Sequence, residues 1–83
     1  QVEAGEAFLR ALGFVEFRVR HHGNLVRIEV PSNDIQKLSE PEIRSKTVIH
    51  FKELGFHFVS LDLQGFRSGA MNESLEELKK RKD

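Results

Sequence analysis

Cysteine is absent from all 83 residues of the chain. Disulfides, thiolate metal sites and cysteine nucleophiles are excluded with it, so any sulfur chemistry must be supplied from elsewhere. Net charge is absent too, because 13 Lys and Arg balance 13 Asp and Glu. A general nucleic-acid binder needs a net basic stripe, so that class is disfavoured, although local basic spots survive. No apolar run approaches the roughly 18 residues of a membrane span and no signal-peptide pattern opens the sequence, which makes a soluble cytoplasmic setting the default expectation. Ser-His-Asp and metalloprotease spacings, a Gly-rich phosphate loop and low-complexity tracts are also missing. At this length the chain is one domain with a modest core, too small to enclose a deep active-site cleft of its own. It opens on Gln1 rather than Met, already in a helical pattern, and reads as a piece of something longer.

What is present centres on Phe14 to Val30, where two alternating runs flank Gly23-Asn24. Period-two alternation is the signature of half-buried strands, and the pair reads as a β-hairpin. Val15, Phe17 and Val19 fall on one face of the first strand and Val26, Ile28 and Val30 match them on the second. The opposite face carries Glu16, Arg18, Arg20, Arg27 and Glu29. Two registers satisfy the apolar face. With Gly23-Asn24 as the turn, Arg18 faces Glu29 and Arg20 faces Arg27; with His22-Gly23, Arg18 faces Arg27 and Glu16 faces Glu29. Glycine at the first turn position favours the former. In either, two guanidinium groups converge. One reading is a solvated face with splayed side chains. The other is an anion site, since arginine forks match phosphate or carboxylate oxygens and a sheet holds them rigidly.

Before the hairpin, Ala4, Ala7, Phe8, Ala11 and Leu12 recur at helical spacing from Val2 to Leu12, with Glu3, Glu6 and Arg10 pointing away. Gly13 suits the left-handed stop and Phe14 folds back on the last turn. Glu6 and Arg10 stand four apart, the spacing of a weak surface pair worth about 0.2–0.5 kcal/mol. After the hairpin, Pro31 ends the second strand, a short helical piece runs from Asp34 to Leu38, and Ser39 with Glu42 forms a capping-box pattern. Ile43, Thr47, Phe51 and Leu54, widened by Val48, mark one face of the next helix, which Gly55 ends. Phe8 to Phe14 and His50 to Phe56 thus repeat one device: helix, glycine stop, phenylalanine, strand. Phe56 to Leu63 forms the third strand. Asn72 caps a final helix from Glu73 to about Arg81 that is expected to fray.

The resulting α-β-β-α-β order predicts an α+β domain, a three-stranded sheet of ferredoxin-like character with helices on one face, in strand order second, first, third. The domain spans 1–66, and 67–83 holds the C-terminal loop and frayed helix. The arginine face is left uncovered by helices. His21 and His22, adjacent on one strand, point to opposite faces and do not make a metal site together.

Glu-Ala-Phe-Leu-Arg-Ala-Leu-Gly-Phe at 6–14, Arg-Val-Arg-His-His-Gly-Asn at 18–24, Arg-Ile-Glu-Val at 27–30 and Leu-Asp-Leu-Gln-Gly-Phe-Arg-Ser-Gly-Ala-Met-Asn at 61–72 resemble one family. It is the C-terminal domain of the ATP-utilising PP-loop enzymes typified by the ATP-dependent sacrificial sulfur transferase of nickel-pincer nucleotide synthesis. The resemblance implies a parent that adenylates a nucleotide substrate's carboxylate and transfers sulfur to it, with ATP and Mg held by an N-terminal PP-loop domain that partners this one. The Ser-Gly-Gly-x-Asp-Ser pyrophosphate loop and the donor cysteine of that family do not occur here, so the chain alone is expected to be inactive and free of cofactor. The family's Arg-x-Arg matches Arg18 and Arg20, which the resemblance assigns to substrate or phosphate contact, as it does Arg67 of Gly-Phe-Arg-Ser-Gly. Glu6 and Glu29 match acidic residues near the reactive cysteine, with roles in activating it or holding a metal ion; a metal at Glu29 would be shared with residues outside this chain. A homo-oligomeric parent, with neither nucleic acid nor membrane as partner, completes the expectation.

A rival from another class is a stand-alone regulatory module that binds a small anion or associates with itself through the open sheet face. RNA binding is the third reading, and neutral charge with no surface aromatics on the hairpin argues against it.

Overall fold

The computed structural model describes residues 2–66. Six elements follow in order: α1 (Val2–Ala11), β1 (Arg18–His22), β2 (Leu25–Glu29), α2 (Ser32–Ser39), α3 (Pro41–Glu53) and β3 (Phe58–Leu61). The α+β class holds, with helices packed against a three-stranded sheet. No helix among the described residues is long and apolar enough to cross a membrane. The expected final helix at 73–81 and the loop from Arg67 onward lie outside the described residues.

Both helix-to-strand turns form as their shared sequence implies. Gly13 and Gly55 take left-handed conformations, at φ 102° and 110°. Phe14 N then donates to Leu9 O at 3.1 Å and Phe56 N to Phe51 O at 3.2 Å, the wide closing bond of a glycine-stopped helix. Both phenylalanines turn inward and are buried with Leu9, Val19, Val26, Ile28, Val30, Leu38 and Phe51. Thr47 and Phe51 are the buried positions of α3, as its periodicity implies.

Strand order differs from the expectation. The sheet runs β1-β2-β3, with β2 in the centre, antiparallel to β1 and parallel to β3. Consecutive strands pair, and the two intervening helices make the crossover that a parallel neighbour requires. Composition explains why β2 is central: Leu25–Glu29 buries three of its five residues, whereas only Val19 of β1 is buried. A strand ending Arg-His-His suits an edge, where charge discourages further pairing.

Four local expectations also change. Strand β1 starts at Arg18, so Val15 is 86% exposed and Phe17, one residue short of the strand, lies beneath the Arg10 guanidinium at 5.3 Å. Strand β3 covers only Phe58–Leu61, and Leu63 is exposed. The capping box does not form: Ser39 closes α2, donating its hydroxyl to Ile35 O, and α3 begins with Pro41 at its first turn. Helix α1 buries Gly5 and Leu9 and leaves Ala4, Ala7 and Ala11 exposed. Gly5 decides that rotation, because a Cβ there would stand 2.4 Å from the Phe51 ring. A bare backbone lets α1 close against α3.

Candidate functional site

The hairpin register pairs Arg18 with Glu29 and Arg20 with Arg27, which is the register of the Gly23-Asn24 turn. Gly23 alone has positive φ there, at 59°, the pattern of a tight two-residue hairpin turn with glycine first. Strand pleat puts Arg18, Arg20, Arg27 and Glu29 together, opposite the buried Val19, Val26 and Ile28. Continuing the register onto β3 adds Phe58 beside Leu25 and Ser60 beside Arg27. Ser60 turns its hydroxyl back onto Val26 O, while Phe58 stays exposed. The face therefore carries three cations, one carboxylate and an apolar corner.

Opposed guanidinium groups repel, and Glu29 resolves the conflict between Arg20 and Arg27. Its Oε2 lies 3.4 Å from Arg20 Nε and 3.2 Å from Arg27 Nη2. The Glu29 side chain is 11% exposed, whereas the arginine side chains keep 45% and 39% of their surface. Arg27 Nε is buried and has no hydrogen-bond partner among the described residues. Arg18 is held differently. Although it is cross-strand from Glu29, its guanidinium carbon lies over the Phe66 ring, 4.7 Å from the centroid, and it joins no ion pair among the described residues.

Nothing in the sequence links Phe66 to Arg18; the contact appears only in the fold. The Phe66 backbone is fixed by N–H donation to Val30 O, at 2.6 Å. Gly65 makes that approach possible, with φ 84° and a site where a Cβ would meet Val30 O at 3.0 Å and the Ser32 backbone at 3.1 Å. A glycine directly before an aromatic is the one sequence signal that marked the spot.

Of the anticipated site residues, Arg18, Arg20 and Glu29 are brought together on one face. Glu6 is half-buried on α1 and shares no hydrogen bond or ion pair with that cluster among the described residues. Its anticipated surface partner Arg10 is over Phe17 instead. Arg67 lies outside the described residues. No group of three or more His, Cys, Asp or Glu among the described residues is arranged to hold a metal ion.

No family model matches the chain. It is 44% identical over 75 residues, 90% of its length, to pyridinium-3,5-bisthiocarboxylic acid mononucleotide synthase of Lactiplantibacillus plantarum. The chain and that stretch of the synthase are homologues. The expected resemblance to the sulfur transferase of nickel-pincer nucleotide synthesis is thereby shown. An uncharacterized protein of Synechocystis sp. is 40% identical over the same share of the chain. The chain spans about a quarter of the length of these curated relatives, 26% of the synthase and 28% of the Synechocystis protein.

Proposed function

We propose that this chain is the C-terminal substrate-side and assembly domain of an ATP-dependent PP-loop sulfur transferase that acts on a nucleotide-type substrate. The carrying observation is the 44% identity to the synthase over 90% of the chain, and the open arginine face supports it. Arg18 and Arg20, with Arg67 beyond the described residues, supply cationic forks to the substrate's phosphate or carboxylate. Glu29 orders the arginines and, with Glu6, belongs to the end of the site where sulfur is transferred. The nucleophile comes from elsewhere in the parent, because the chain has no cysteine.

In this reading ATP and magnesium belong to the parent's PP-loop domain, because the Ser-Gly-Gly-x-Asp-Ser loop that cradles a pyrophosphate does not occur in this chain. What the domain contributes is binding and orientation. An anion held against a rigid sheet is presented to the chemistry in one pose, and positioning of that kind lowers barriers without touching the reacting bond. Activity also follows the completed site more than the fold.

Replacing Arg18 and Arg20 with alanine in the full-length parent tests the reading. Each lost charge-assisted contact is worth about 1.5–3 kcal/mol, so kcat/KM falls at least about tenfold for either substitution and at least about a hundredfold for the pair. Turnover and substrate affinity equal to the unsubstituted parent would sink the assignment.

A further inference from the structure

The three arginines of the open face are not equivalent. Arg20 and Arg27 are both held on one carboxylate oxygen of Glu29, so part of their charge is answered within the fold. Arg18 stands directly across from Glu29 yet is drawn over Phe66, and its side chain makes no hydrogen bond or ion pair among the described residues. An aromatic face attracts a guanidinium through its quadrupole and adds no opposing charge. The ring thus fixes Arg18 without neutralising it. Its own fixation is strong: the 2.6 Å bond from Phe66 N to Val30 O ties it to the end of β2, and Gly65 allows no side chain at that approach.

We infer that Phe66 is a positioning residue that holds Arg18 as the unneutralised anion-binding guanidinium of this face. Arg20 and Arg27 with Glu29 form the scaffold beside it. The ligand class is an oxyanion, a phosphate or a carboxylate, which a guanidinium fork takes in its plane. The oxyanion part rests on the reading of the face proposed above; the positioning part is tested separately.

The experiment compares the 83-residue chain with Phe66→Leu, which keeps apolar bulk and removes the ring, and Phe66→Tyr, which keeps the ring. One readout is the Arg18 Nε–Hε resonance: its ring-current shift, and its order relative to the exposed Arg44. The other is affinity for inorganic phosphate, followed by amide shifts. In the unsubstituted chain, Arg18 is expected to be shifted and more ordered than Arg44. Phe66→Leu abolishes both signatures and weakens phosphate binding about two- to fivefold, and Phe66→Tyr restores all three. An Arg18 resonance with the same shift and order in Phe66→Leu overturns the inference, whatever phosphate does. If Arg18 loosens in Phe66→Leu but phosphate binds no variant, the positioning stands and the oxyanion reading falls.

Discussion

Replacing Glu29 with glutamine preserves shape and removes one charge, and the structure predicts opposite consequences for stability and for anion binding. Two charges 3.2 and 3.4 Å from Oε2 look strong on paper. At an effective dielectric of about 20, Coulomb's law gives roughly 5 kcal/mol for each. Solvent removes most of that, since the arginine side chains are 45% and 39% exposed and pairs of such exposure contribute about 0.2–1 kcal/mol. Losing both pairs, and leaving Arg20 to repel the directly opposed Arg27, amounts to about 1–2 kcal/mol. In a domain of this size that lowers the melting temperature by about 5–15 °C. Phosphate should meanwhile bind more tightly, because three guanidiniums would no longer share their face with a carboxylate. An elementary charge some 6 Å from a phosphate in water is worth about 0.7 kcal/mol per unit of phosphate charge, so the gain is about three- to tenfold at low salt and shrinks as salt is added. Thermal melts by circular dichroism and phosphate titrations at two sodium chloride concentrations read both effects. A Glu29→Gln chain with an unchanged melting temperature and unimproved phosphate affinity would refute the claim that this carboxylate restrains the arginines.

Gly5→Ala pits helix propensity against packing: alanine gains up to about 1 kcal/mol in a helix, but its Cβ would stand 2.4 Å from a fully buried Phe51 ring, and overpacking costs about 1–3 kcal/mol. Urea unfolding should therefore show a net loss of about 1–2 kcal/mol, and a stabilised variant would mean that α1 and α3 do not meet there. The strand order is tested by amide hydrogen exchange. With β2 in the centre, the amides of Val26 and Ile28 outlast those of β1, and greater protection on β1 would restore the order second, first, third.

Local chemistry made much of the fold legible. The Gly23-Asn24 turn, the two glycine-stopped helices and the Thr47–Phe51 face each follow from residues close in sequence, where one conformation is clearly preferred. Features settled by distant partners were not legible. In α1, the alanines at helical spacing are the expected core and no local pattern singles out Gly5, because only the Phe51 ring, far along the chain, turns that glycine into the point of approach. Alternation continued back to Val15 although β2 offers no partner before Arg18, and pattern alone does not say where a ladder ends. The open face showed the same limit. Its arginines could be placed from the alternation, but the burial of Glu29 and the contact of Arg18 with Phe66 depend on the central position of β2 and on a loop that returns beside Val30.

The corrected strand order also changes what the arginine face can do. With β1 in the centre, Arg18 and Arg20 would sit amid a sheet with neighbours on both sides. On the observed edge they have β2 on one side only, and among the described residues nothing pairs with β1 on the other. An anion resting on Arg18 is then contacted from the sheet beneath it and one flank, and is open to water elsewhere. Guanidinium–oxyanion contacts that stay solvated are weak, and the same contacts strengthen when water is excluded. The edge position thus predicts phosphate binding to this chain that is measurable but weak, and that weakens further as salt is added.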